Sequence, residues 1–292
     1  MTSALADFRA AYAAHRASEG RAYDRATLLA LPYLADDSSQ LAHQWAVRAR
    51  TYEAFMRRVL LPMLGASTLH APRSTLTRSG DHAERGARSG ERRGSLRLLD
   101  LGAGNGWLSW RAAMAGCECV ALDLRDDAVD GLGAAAPYLE RADGGFARVA
   151  ASFDALPVAA GTFDVVVFNA SVHYATDLAA VLREARRVVR PGGRVVVLDS
   201  PFYRRDADGA AMVAEKRGHA AERFGDRAAA LMAVPAIEYL TAERLAHASA
   251  ALGLTWRRRR VRYPLWYELR PYVARLRGRR APSRFDLWEA HA

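Results

Sequence analysis

Leu98-Leu99-Asp100-Leu101-Gly102-Ala103-Gly104-Asn105-Gly106-Trp107-Leu108 decides how this chain is read. An apolar run leads into glycines at every second position, and a helix-forming segment follows. Glycine lets a backbone turn tightly and approach a ligand with no Cβ in the way. In an open parallel sheet, ligands lie beyond the carboxyl ends of the strands, where such a bend sits. The spacing is not that of a dinucleotide-binding turn, which needs Gly-x-Gly-x-x-Gly/Ala and a small last residue for close helix–strand packing. Trp107 stands at that last position, and no Gly-Lys-Ser/Thr phosphate loop is present. A pyrophosphate ligand is therefore disfavoured.

Outward from this bend the chain alternates strand and helix. Strands are expected over 96–101, 119–124, 146–151, 163–169 and 194–199, and helices over 108–116, 128–139 and 178–189. Arg190-Pro191-Gly192-Gly193 reads as a turn. Fully apolar strands alternating with helices imply a parallel sheet covered on both faces. Beyond residue 200 the alternation loosens. A helix is expected over 206–224, a second behind Thr241 and Glu243 ending at Gly253, and strands over 255–263 and 284–289. Before the bend, Leu41, Trp45, Arg48, Tyr52, Phe55, Val59 and Leu60 recur at helical spacing up to a break at Pro62 and Gly65. That aromatic stripe either packs on the α/β unit or lines a substrate pocket. Residues 66–95 are rich in Gly, Ser and charge, and are expected to form a flexible basic linker. The expected organisation is a helical extension or substrate cap over 1–65, this linker, and an α/β domain over 96–292.

Composition sets outer limits. The hydrophobic share of 51% suits a packed core, and the formal charge of +10 favours anionic contacts or a solvated basic face. Cys117 and Cys119 share one strand face and are expected to be reduced and buried, in a cytoplasmic protein without a disulfide or a metal site. No signal peptide or membrane span is expected.

Asp123 closes the second expected strand, about twenty residues beyond the bend. An ionised carboxylate there can accept both hydrogen bonds of a ribose diol. With these pieces together, the chain resembles the class I S-adenosylmethionine (SAM)-dependent methyltransferases, which have a Rossmann-like fold. Leu99-Asp100-Leu101-Gly102-Ala103-Gly104-Asn105-Gly106 resembles that family's first motif, and Asp123 its ribose-binding acid. Ala151-Ser152-Phe153-Asp154-Ala155-Leu156-Pro157 resembles the motif that holds the adenine, and Phe163-Asp164-Val165-Val166 through Asn169 resembles its fourth strand. Leu182-Arg183-Glu184 through Val195 resembles the following helix and fifth strand. The resemblance covers roughly residues 96–200. It is strongest to the small-molecule branch that includes the ubiquinone and menaquinone C-methyltransferases. It implies a mostly parallel seven-stranded sheet with helices on both faces. It also implies SAM as cofactor, held by Asp100, Gly102, Ala103, Gly104, Gly106, Asp123, Leu124, Ser152, Phe153, Asp154 and Asn169. One departure is Ser152, where the family often has an acid, so Asp154 is the alternative partner for the adenine amino group.

His173 and Tyr174 follow the fourth strand at the rim of the expected cleft and are the catalytic candidates. His173 either acts as a base or orients the acceptor, or it only shapes the pocket. Tyr203 is a further pocket candidate. The expected acceptor is a small molecule. An RNA or protein acceptor is an alternative, served by the arginine- and aromatic-rich stretch 257–280. So is a non-catalytic SAM-fold binder. Asn169-Ala170-Ser171-Val172 lacks the Pro-Pro signature of amino-group methylation. Contact of the basic stretch with a membrane surface also remains open.

Overall fold

The computed structural model describes residues 3–34, 40–69, 95–141 and 145–292. The chain begins with helices α1 (Ser3–Ser18), α2 (Arg25–Ala30), α3 (Gln40–Phe55) and α4 (Leu61–Leu69). The α/β unit then runs β1 (Arg97–Leu101), α5 (Trp107–Met114), β2 (Glu118–Asp123), α6 (Ala136–Leu139), β3 (Ala147–Ala150), β4 (Phe163–Asn169), α7 (Leu178–Val188) and β5 (Val189–Leu198). It closes with α8 (Asp206–Gly218), α9 (Ala220–Phe224), α10 (Ala228–Ala233), α11 (Ala242–Ser249), β6 (Thr255–Arg259), α12 (Leu265–Leu276) and β7 (Leu287–His291). The strands form one seven-stranded sheet in the order β3-β2-β1-β4-β5-β7-β6. β7 alone runs antiparallel, between β5 and β6. This is the Rossmann-like α/β architecture, with helices on both faces and a helical N-terminal extension.

Alternation along the strands divides the core. Leu98, Ala121, Val165, Val167 and Val196 face α3 and α5, where Trp45, Phe55, Leu108 and Trp110 are buried. Leu99, Leu101, Val166, Phe168, Val195 and Val197 face α7 and α11, where Val181, Leu182, Ala185 and Leu245 are buried. All seven residues of β4 are buried, as a central strand covered on both faces requires. The order of strands reverses between β1 and β4, so a crevice opens beyond their carboxyl ends.

The extension docks through Trp107, the residue that spoils the dinucleotide spacing. Its ring meets Trp45 edge-on at 5.7 Å and Tyr52 at 5.6 Å. The aromatic stripe of α3 is thus core for the first residue of α5. Helix α1 reaches across to the other end of the crevice, where Phe8, Ala11 and Tyr12 pack with Ala220, Phe224 and Leu231.

Several expected boundaries shift for local reasons. The helix does not break at Pro62. A π-turn at Met56–Leu60 precedes the proline and absorbs the lost N–H and the clash of its ring, so α4 continues through Gly65. Residues 66–69, expected to open the linker, form the end of α4, and 70–94 lie outside the described residues. The expected helix 128–139 is replaced by turns, a 3₁₀ turn at Leu132–Ala135 and short α6. Asp127 Oδ1 accepts from Val129 N at 3.0 Å and Asp130 N at 3.1 Å, which offers the backbone an alternative to a helix. Strand β5 begins at Val189, before the expected turn, and 190–193 bulge out between two registers with β4. The last two strands are Thr255–Arg259 and Leu287–His291, and the helix expected over 206–224 is split at His219.

Trp107→Ala is expected to cost about 3–5 kcal/mol, since it empties a buried site shared by two elements. Urea unfolding gives the loss. Limited proteolysis should show cuts within α3 before any within the sheet.

Candidate active site

The bend after β1 is held from two sides. Gly102 N and Ala103 N both donate to Leu122 O, at 2.7 and 3.0 Å. Gly104 N donates to Asp123 Oδ2 at 2.7 Å, and Arg125 N donates to Oδ1 of the same carboxylate at 2.8 Å. The acid at the end of β2 therefore faces the bend. Gly102 and Gly104 have φ of 73° and 57°, which a side chain rarely tolerates. A Cβ on Gly102 would lie 2.3 Å from Ser171 Cβ, so only glycine lets the loops after β1 and β4 approach this closely. The Phe153 ring lies against the same glycine, with Cε1 3.6 Å from that Cβ position. The bend, the acid and the Phe153 loop are thus brought together. Gly106, with φ 79°, caps α5, and both Gly102 and Gly104 keep accessible surface. Leu124 and Ser152 are half-buried, whereas Asp154 is exposed.

Three buried oxygen acceptors near the carboxyl ends of neighbouring strands lack a hydrogen-bond donor. They are Asp100 Oδ1, Asn169 Oδ1 and Asp199 Oδ1, on or just after β1, β4 and β5. Burial pushes Asp100 up to about 7, partly offset by a hydrogen bond from Ser109 Oγ at 3.0 Å. Burial pushes Asp199 up to about 6, against Arg48 and the Thr51 hydroxyl. Burial also raises Asp123, against its two backbone donors. Ala170 and Asp199, directly after β4 and β5, have φ of 57° and 49°. Backbone in this region is strained for residues other than glycine.

The extension supplies the opposite charge. Arg16 on α1 binds Asp130 Oδ2 at 2.6 Å, and Asn105 Nδ2 of the bend donates to Asp130 Oδ1 at 3.1 Å. Asn105 Oδ1 in turn accepts from Trp107 N at 3.2 Å. One chain of polar contacts thus runs from α1 to the first turn of α5. Tyr12 OH donates to Tyr174 OH at 3.1 Å, and the Arg125 guanidinium lies 4.7 Å over the Tyr12 ring. The Arg48 guanidinium sits 4.9 Å over the Trp45 ring and within electrostatic reach of Asp199, Asp130 and His173. Sequence reasoning placed Arg48 only in an apolar stripe. It did not single out Arg16, Arg21, Asp130 or Asp199. The strand-end position of Asp199 was the one available signal.

His173 is brought to the rim beside Tyr174, with ring centroids 4.3 Å apart and Nδ1 3.3 Å from Ser200 Oγ. Burial, with Arg48 and Lys216 nearby, holds its imidazole down to about 3. A group this hard to protonate stays neutral near pH 7 and is suited to orienting a partner by hydrogen bonding. Tyr174 is 45% exposed, while Tyr203 is buried and stacks edge-on against Tyr239 at 5.8 Å.

SAM carries a cationic sulfonium and an ammonium. Donor-free acceptors at three strand ends, a glycine bend with no Cβ over the crevice, and a carboxylate against that bend fit such a ligand. Asp100→Asn is expected to raise stability by about 1 kcal/mol or more at pH 8, where the buried carboxylate is charged. The gain should shrink toward pH 5. A native pKa raised above the unfolded value means that the folded protein takes up the proton first, so stability rises as pH falls through about 7. Paired melts at the two pH values measure this.

Residues 99–197 match a family model described as a methyltransferase domain. The malonyl-[acyl-carrier protein] O-methyltransferase of Pseudescherichia vulneris is 40% identical over 114 residues, 37% of this chain and 40% of its own length. The ubiquinone/menaquinone biosynthesis C-methyltransferase of Syntrophotalea carbinolica is 36% identical over 108 residues, 36% of this chain and 44% of its own. The matches thus span less than half the length of these curated relatives. Among solved structures, geranyl diphosphate methyltransferase in complex with GPP and sinefungin aligns with a TM-score of 0.49 and 19% identity, covering 68% of this chain and 72% of that one. The bend, its acid and strands β1 to β5 all fall within or beside the segment that matches a methyltransferase domain.

Proposed function

We propose that this protein is a cytoplasmic enzyme that transfers the methyl group of SAM to a small-molecule acceptor. The observation that carries the reading is the Asp123 carboxylate held 2.7 Å from Gly104 N, which brings the ribose-binding acid and the methionine-binding bend to one crevice. Gly102, Ala103, Gly104 and Gly106 form the bend. Asp123 and Leu124 border the ribose, Ser152, Phe153 and Asp154 border the adenine, and Asp100 and Asn169 contribute acceptors toward the cationic end.

The cofactor, when bound, supplies an electrophilic methyl group on sulfonium sulfur. The protein's part is to orient the acceptor and keep water out. His173 and Tyr174 stand at the rim, His173 as a neutral hydrogen-bonding group. The helices of residues 1–65 act as the cap on the acceptor side. Arg48, within electrostatic reach of His173, brings positive charge toward the rim, which favours an acceptor with an anionic group.

Asp123→Ala is expected to weaken SAM binding by more than tenfold, since the ribose loses a charged acceptor and the bend loses its anchor. Titration calorimetry with SAM reads this directly. Unchanged affinity would remove Asp123 from the cofactor site. His173→Ala should leave SAM affinity near that of the unaltered protein while lowering turnover on an acceptor found by screening metabolites with labelled SAM.

A further inference from the structure

Helix α12 (Leu265–Leu276) presents an apolar face to solvent. Leu265, Trp266, Leu269, Tyr272, Val273 and Leu276 are 73%, 41%, 43%, 68%, 42% and 88% exposed. At 3.6 residues per turn these six side chains occupy one arc of about 120°. The opposite face is anchored. Tyr267 is buried against Tyr263, with rings 4.4 Å apart, and its hydroxyl accepts from Phe285 N at 3.1 Å. The helix is therefore fixed in the fold with its apolar side outward, an arrangement that soluble surfaces rarely keep without a use.

Charge says what that side meets. Many arginines of the C-terminal stretch are consumed within the protein. Arg258 binds Asp286, Arg259 binds Glu289, and Arg284 binds Glu268 and Asp286. Glu268, the acidic residue of α12, is held by Arg284 and faces Arg260. Arg275, Arg277 and Arg279, by contrast, are exposed on and just after the helix. On the wheel, Arg275 flanks the arc on one side and Arg277 on the other. Near the start of α12 lies a groove of about 390 Å³ lined by Arg50, Arg57, Arg58 and Arg262, with Glu53 paired to Arg50.

We propose that α12 is an interfacial helix that seats the protein on an anionic lipid bilayer. Its Leu, Val and Trp side chains enter the headgroup–acyl boundary, and the flanking arginines meet lipid phosphates. Tyr272 and Trp266 have the amphipathic rings favoured at that depth. A second copy of the chain fits the same face poorly. Both flanks of the apolar arc carry arginine, and Glu268 is already engaged, so the face offers a second copy no complementary charge. Among the described residues no helix is long and apolar enough to cross a membrane, so the contact would be peripheral.

The test is flotation of the full chain with vesicles of phosphatidylcholine alone, or with about one third phosphatidylglycerol added. The protein should float with the anionic vesicles, be released by high salt, and show tryptophan quenching by brominated lipid. Leu269→Glu with Leu276→Glu, and separately Arg275→Glu with Arg277→Glu, should each lower partitioning about tenfold or more. All four substitutions are at exposed positions, and unchanged melting and SAM affinity confirm that the variants are folded. Three results would overturn the proposal: no association with anionic vesicles, unchanged flotation of the leucine variant, or a dimer in light scattering that Leu276→Glu dissociates. Flotation and SAM calorimetry are separate readouts, so failure of the methyltransferase reading would show in the second alone.

Discussion

A single short hydrogen bond, from the Gly104 amide to the Asp123 carboxylate, ties the loop after β1 to the end of β2. It closes the bend on one side, while Leu122 O holds Gly102 and Ala103 on the other. A carboxylate bonded to backbone amides is stabilised in its charged form, yet burial here works against that charge. The Asp123 carboxylate is therefore only partly compensated by the groups around it. Asp100 and Asp199 stand in the same condition, buried and each with an oxygen lacking a donor. The carboxyl end of the sheet is thus organised around negative charge that the protein alone leaves incompletely compensated.

Charge of the other sign comes from the extension. Arg16 meets Asp130, and Arg48 lies near Asp199. Buried ion pairs contribute little net stability, because desolvation offsets much of their attraction. Their value here is positional. Arg16, Asp130, Asn105 and the Trp107 amide form one continuous chain of contacts, so the position of α1 and the shape of the glycine bend are mechanically joined.

The central strands were legible in the sequence because they are buried on both faces and read as largely apolar runs, whereas the edge strands β3 and β6 are largely exposed. All of 163–169 was recovered from that signal alone. The bend and Asp123 were legible because glycine at alternate positions and an acid at a strand end have few other uses together. Local competition hid other parts. Asp127 diverts the chain from the helix that apolar spacing suggests, and a bulge at 190–193 lies inside β5 where composition spells a turn. The charged face of the helical extension was illegible for a different reason. Arg16 and Arg48 lie more than eighty and fifty residues before the bend's first glycine, and only tertiary packing brings them to it. Likewise, the arginine-rich tail gave no sign of which of its charges are spent on Asp286 and Glu289.

Trp107 has a consequence for how this architecture can diversify. The same indole opens α5 and receives Trp45 and Tyr52 from the extension. An extension transplanted from another protein of this architecture would find an aromatic socket shaped for two particular partners. Shortening that indole to suit a foreign extension would disturb the helix that begins at the glycine bend. Extension and bend are thus inherited as a unit, and neither is exchanged without repacking the other.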